Sequence, residues 1–228
     1  MSNFAEKIQP LRWAVNKIAG FASKTFFNGS QEYWESRYAK GKTSGEGSYG
    51  KFAQFKADIL NSFVAENEIN SVIEFGCGDG NQISLAAYPN YIGLDVSKTV
   101  ITRCKERFDK DKSKSFFLYE SSVFADQQLT LKAELSLSLD VIYHLVEDKV
   151  FEIYMHHLFG AAEKFVIIYS SDTDKQSHFA HVKHRDFSKW IAQNLPQWKL
   201  LRQIHNKYPS DVVWGGGPCA DFFIYKKL

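Results

Sequence analysis

Cysteine is scarce in this sequence: the 228 residues hold three, Cys77, Cys104 and Cys219. An odd number at wide spacing gives no disulfide framework and no zinc-binding pattern, and it suits a reducing compartment, so a cytoplasmic protein is expected. Charge of one sign is equally short. Twenty-eight basic residues against 26 acidic ones leave a net charge of +2, too balanced to point to a nucleic acid or another polyanion. No apolar run approaches the length of a membrane-spanning helix, and the first residues lack the apolar stretch and small-residue cleavage site of a signal peptide. There is no low-complexity tract and no repeat at a solenoid period. What remains is a chain 44% hydrophobic and 24% charged, of a length that one α/β domain with a sizeable core commonly takes.

Residues 4–27 place Phe4, Ile8, Leu11, Val15, Ile18 and Ala22 at steps of three and four between lysines and Arg12. This predicts a basic amphipathic helix that covers the protein's own core or a neighbouring subunit; membrane association is the lesser reading. Residues 28–50 are rich in glycine, serine and aromatics. A short helix over 31–38 and a functional loop over 41–50 are expected there, and residues 1–50 are read as a lid ahead of a core over 51–228.

From Lys51 onward the pattern alternates. Helices are predicted over residues 52–66, 82–87, 98–108 and 149–159. Strands are predicted over 71–75, 91–95, 115–119, 133–139 and 164–170. Two last strands, 198–206 and 220–227, are joined by a loop over 208–218 instead of a helix. The expected fold is α/β: a Rossmann-like, seven-stranded, mostly parallel sheet with helices on both faces and a C-terminal antiparallel hairpin.

The first strand runs into a glycine turn, Glu74-Phe75-Gly76-Cys77-Gly78-Asp79-Gly80. Such a turn brings backbone amides close to a ligand, and Cys77 is small enough to fit inside it. Glycine spacing alone is a weak signal. Asp95 strengthens it, ending the second strand about 20 residues further on, where a carboxylate can accept both hydroxyls of a ribose. Glu74 ahead of the glycines and the Gly76-Cys77-Gly78 core together resemble motif I of the class I S-adenosylmethionine-dependent methyltransferases.

That resemblance implies S-adenosylmethionine as cofactor. Gly76, Cys77 and Gly78 would pack on its methionine part and Asp95 would hold the ribose. Glu74 would fix the loop, or the cofactor's amino group through water. Adenine would lie between Val96 and the stretch 121–124, with Ser122 and Val123 beside it. Ser122 stands where the family often has an aspartate that reads the adenine amino group.

In this fold the acceptor meets the cofactor beyond the carboxyl ends of the strands. The fourth strand continues into Asp140-Val141-Ile142-Tyr143-His144 and lacks the Asn/Asp-Pro-Pro-aromatic motif that grips planar amines, so an oxygen nucleophile is expected. Asp140 and His144 are the candidate catalytic residues, since in-line methyl transfer to a hydroxyl needs alignment and a base. Tyr143 is a pocket candidate, and His181, His184 and Arg185 are candidates for gripping hydroxyls or an anionic group. Three histidines spaced by three, His178, His181 and His184, match no zinc pattern. No metal is expected; Asp140 with Asp172 or Asp174 is the set that would hold Mg²⁺ if one were needed.

From Gln31 onward the chain resembles methyltransferase domains that occur alone or fused to glycosyltransferases in bacterial polysaccharide and chlorovirus glycan assembly. The resembling residues are Tyr33, Trp34, Glu35, Arg37 and Tyr38, the block from Ser44 to Lys56, the loop from Glu74 to Gln82, the run from Ser138 to Leu145, and His181, Val182, His184, Arg185 and Phe187. The resemblance implies O-methylation of a sugar hydroxyl, on a terminal rhamnose or another deoxyhexose, with a fused or associated glycosyltransferase as partner. It also implies a lid over the cofactor, with Arg37 or Ser48 near the cofactor carboxylate and Tyr38 or Tyr49 as a wall. A small-molecule or protein methyltransferase and an inactive cofactor-binding subunit are the alternatives.

Overall fold

The computed structural model describes residues 27–126, 130–208 and 220–228. All but the last residue of the amphipathic segment over residues 4–27, and most of the loop over 208–218, lie outside them. The elements in chain order are α1 (Ser30–Ala39), α2 (Gly50–Glu66), β1 (Ser71–Phe75), β2 (Asn90–Asp95), α3 (Lys98–Arg107), β3 (Lys114–Leu118), β4 (Ala133–Leu139), α4 (Asp148–Gly160), β5 (Ala162–Ser170), α5 (Phe187–Asn194), β6 (Trp198–Ile204) and β7 (Asp221–Lys227).

The seven strands form one sheet in the order β3-β2-β1-β4-β5-β7-β6. The first five are parallel, and β7 runs antiparallel to both β5 and β6. This is the expected mixed sheet with its terminal hairpin. Alternation along the central strands sends side chains to two cores. Ile73, Phe75, Val166 and Ile168 meet Tyr154, Met155 and Leu158 of α4 and Phe187 and Ile191 of α5 on one face. Val72, Leu135, Leu137 and Ile167 meet Leu60, Phe63 and Val64 of α2 and Ile101 and Cys104 of α3 on the other. The chain reverses direction across the sheet between β1 and β4, which opens a crevice at their carboxyl ends.

Three local expectations are corrected. The helix predicted over 82–87 is only a 3₁₀ turn, Ile83–Leu85. The Asn61 side chain donates to Leu85 O at 2.9 Å and accepts from Ala87 N at 2.9 Å, ending the turn before Pro89. The segment after His184, for which no helix is predicted, forms α5, whose start is capped by Asp186 accepting from Lys189 N at 3.2 Å. The last strands are shorter than expected because Asp221 takes His205 Nδ1 and Asn206 N at 2.8 Å each, turning the chain out of the ladder. No helix among the described residues is long and apolar enough to cross a membrane.

Candidate cofactor and acceptor site

The turn after β1 closes because Gly76 N and Cys77 N both donate to Leu94 O, at 2.7 and 3.0 Å. Gly76 has φ 87°, and a Cβ there would come within 2.4 Å of Val141 Cγ2. Gly78 has φ 59°, and its Cβ would meet Ser44 Oγ at 2.4 Å. Glycine is thus required twice, for backbone conformation and for room. Asp95 stands at the end of β2 with Oδ2 on Gly78 N and Oδ1 on Ser97 N, both at 2.9 Å. Burial pushes its carboxyl up to about 6, against the pull of those amides.

The segment from Asn28 to Tyr49 lies over this turn, and three of its ties to the core run through carboxylates. Ser30 N donates to Glu147 Oε1 at 2.9 Å, and Ser30 Oγ lies 2.6 Å from Glu147 Oε2. Glu35 accepts from Ser97 Oγ at 2.6 Å and from Thr99 Oγ1 at 2.5 Å, a carboxylate seated at the N-terminus of α3. Ser44 N donates to Asp79 Oδ2 at 2.8 Å while Asp79 N donates back to Ser44 Oγ at 3.0 Å. Tyr49 OH joins the same carboxylate at 2.9 Å, and Tyr38 OH lies 2.9 Å from Ser44 Oγ.

Beneath, the ends of β1 and β4 carry a buried charged cluster. Lys56 Nζ lies 2.7 Å from Asp140 Oδ2, and Tyr143 OH donates to Asp140 Oδ1 at 2.8 Å. Asp140 has φ 60°, a strained value for a residue with a side chain, held by its N–H on Tyr169 O at 2.8 Å. Glu74 receives the Tyr91 hydroxyl at 2.6 Å, and burial pushes its carboxyl up to about 7. His144 Nδ1 lies 2.9 Å from His181 O. A carbonyl only accepts, so Nδ1 carries the proton and Nε2 keeps its lone pair. Burial lowers the His144 pKa to about 4, leaving the ring neutral at neutral pH. The edge of Trp34 packs against this imidazole at 4.9 Å between centroids, and His181 stacks on Tyr33 at 4.5 Å.

These parts enclose a cavity of about 530 Å³, within the range of small-molecule and cofactor sites. Of the residues the sequence singled out, Glu74, Gly76, Cys77, Gly78, Asp95, Val96, Tyr38, Ser48, Asp140 and His144 line it. The others lie outside its lining. Arg37 donates its Nε to Thr43 O at 2.8 Å. Tyr49 is on Asp79, Ser122 donates to Glu120, and Val123 is 71% exposed. His184 Nδ1 lies 2.6 Å from Ser171 Oγ, and Arg185 clamps Leu145 O, Val146 O and Asp148. Tyr143 OH is on Asp140, and the backbone carbonyl of His181 is on His144.

The magnesium set does not assemble. Asp140 is paired with Lys56, whereas the Asp172 carboxylate accepts from Ser188 N and its backbone pairs with that of Arg185, outside the cavity lining. Among the described residues no three His, Cys, Asp or Glu side chains are grouped to hold a metal. Sequence reasoning gave no role to Glu35, Lys56, Tyr119 or Tyr154, which also line the cavity. Lys56 had a readable signal: it interrupts the apolar face of α2 between Ala53 and Leu60.

No protein-family model and no curated protein matches the chain in sequence. Solved structures do match in fold. The methyltransferase domain of a bacterial Hen1 protein is 20% identical with a TM-score of 0.61, over 76% of this chain and 97% of that one. The N-methyltransferase NodS of Bradyrhizobium japonicum, solved with S-adenosylhomocysteine, is 12% identical with a TM-score of 0.69, over 88% and 99%. The magnesium protoporphyrin IX methyltransferase of Synechocystis, solved with S-adenosylmethionine, is 15% identical with a TM-score of 0.61, over 87% and 95%. With the sheet order and the glycine crevice described above, the chain therefore has the fold of the class I S-adenosylmethionine-dependent methyltransferases.

Proposed function

We propose that the protein is an S-adenosylmethionine-dependent O-methyltransferase acting on a sugar hydroxyl of a glycan. The observation that carries the cofactor is the charge of the cavity. Glu32, Glu35, Glu74, Asp95, Asp140 and Glu147 border it, against Lys56 as the one lysine or arginine in its lining among the described residues. A dinucleotide would bring a pyrophosphate into that acidic wall. S-adenosylmethionine brings a sulfonium and an ammonium, and a cation near Glu74 and Asp95 favours their ionised forms. Asp95 keeps lone pairs for ribose hydroxyls beyond those on Gly78 and Ser97.

The bound cofactor supplies an activated methyl group for in-line displacement. The chain supplies the rest. His144 Nε2 takes the hydroxyl proton, with Nδ1–H anchored on His181 O to fix the ring. Asp140, held by Lys56 and Tyr143, gives the nearby fixed negative charge that stabilises the imidazolium as it forms. The lid keeps water out. Support for a sugar acceptor comes from the Ser44–Lys56 block and from the ring of Trp34, which lines the cavity and packs against His144. A fused or associated glycosyltransferase in the cytoplasm belongs to the same reading.

The test is incubation with methyl-labelled S-adenosylmethionine and a panel of free and glycosidic sugars, rhamnosides included, beside protein and small-phenol controls. Label is expected in sugar ethers. Label confined to the controls would refute the sugar acceptor, and absence of cofactor binding in calorimetry would refute the whole reading.

A further inference from the structure

Among the described residues the cavity offers one cation for one anionic group. S-adenosylmethionine has a single carboxylate, and a carboxylate inside a wall of six others needs a fixed positive partner. Arg37, the arginine the sequence offers for it, has its Nε on Thr43 O and stands outside the lining. Lys56 lines the cavity, is 1% exposed, and packs its ammonium 5.4 Å from the centre of the Tyr169 ring.

A lysine buried only to neutralise Asp140 would have no reason to border the space. One of its three donors is committed to Asp140. Gln82 also borders the cavity. Its Nε2 donates to Ala53 O at 3.1 Å, which fixes the amide orientation, and its buried Oε1 has no hydrogen-bond partner among the described residues. A buried amide oxygen without a donor is costly, and it suits an ammonium as ligand. Lys56 comes from α2 and Gln82 from the turn after the glycine loop, and both border the same cavity.

We infer that Lys56 is the anchor for the cofactor's α-carboxylate and so discriminates S-adenosylmethionine from nucleosides that lack that group. This inference rests on the cofactor reading above.

The experiment crosses two ligands with three proteins. S-adenosylmethionine and its decarboxylated form, which differ by the carboxylate alone, are titrated into the wild type, Lys56→Met and the double variant Lys56→Met/Asp140→Asn. The double variant removes the buried pair as a unit, guarding against a single variant that fails to fold with Asp140 uncompensated. The wild type is expected to prefer the intact cofactor by about 10- to 100-fold, the worth of a charge-assisted hydrogen bond. Both variants are expected to lose that preference, so that the ratio of the two affinities falls to about one. An undiminished preference in the double variant would overturn the anchor while leaving the cofactor reading intact. Failure of the wild type to bind either ligand would overturn that reading first.

Discussion

Replacing Glu74 by glutamine should change how the empty protein responds to pH. The Glu74 carboxyl is buried at 3% exposure, and that burial outweighs the Tyr91 hydrogen bond and the nearby Lys56, raising it from 4.5 to about 7. A folded-state pKa above the unfolded one favours folding below the unfolded value, and that contribution disappears as pH rises through the folded value. The window is therefore pH 4.5 to about 7. A displacement of that size corresponds to about 3 kcal/mol at 1.36 kcal/mol per pH unit. Glutamine keeps an acceptor for the Tyr91 hydroxyl and has no proton to lose. Urea unfolding of both proteins without cofactor at pH 5, 6, 7 and 8 isolates the difference. Wild-type stability should fall relative to Glu74→Gln by about 3 kcal/mol across that range, whatever the parallel contribution of Asp95. Curves that stay parallel would refute the burial argument. The same physics predicts that a cationic cofactor added near pH 7 expels a proton, visible as binding heats that vary with the buffer's ionisation enthalpy.

Three further outcomes follow from the same geometry. Asp95→Ala removes the acceptor of Gly78 N and Ser97 N as well as the proposed ribose ligand, so cofactor affinity should fall about 100-fold or more; unchanged affinity in calorimetry would contradict the assignment. His144→Ala should lower methyl transfer about 10²- to 10⁴-fold, the usual worth of a general base, with cofactor affinity kept; full turnover would remove His144 from the chemistry. Gly76→Ala puts a methyl within 2.4 Å of Val141 Cγ2 at φ 87° and should cost about 2 to 4 kcal/mol in thermal unfolding. Adding Val141→Ala should return the packing part and leave the backbone part.

The sheet was legible because its signals are local. β1, β2, β4 and β5 are short apolar runs between helical patterns, and the glycine turn declares its backbone demands within seven residues. Asp95 was legible for the same reason, since its distance along the chain is fixed by one intervening turn and strand. The missed parts depend on contacts between distant segments. Asn61 of α2 stops the turn at Leu85, an effect of 24 positions. Lys56 finds Asp140 across 84 positions and Glu35 finds Ser97 across 62. No window of sequence contains such pairs. The internal partners of the histidine and arginine segment were equally out of reach of the sequence: Arg185 donates to the carbonyls of Leu145 and Val146, which follow the 3₁₀ turn Ile142–His144.

The three carboxylate ties of the roof over the cavity bear on timing. They engage separate supports: α3 for Glu35, the approach to α4 for Ser30, and the glycine turn for Ser44. Releasing one leaves the other two fastened, so exit from the cavity requires a concerted opening. Under the proposed reaction the spent cofactor is as large as the fresh one minus a methyl, and it meets the same fastened roof. Its dwell time, set by the slowest common opening of the three ties, then caps the turnover rate however fast the methyl group moves.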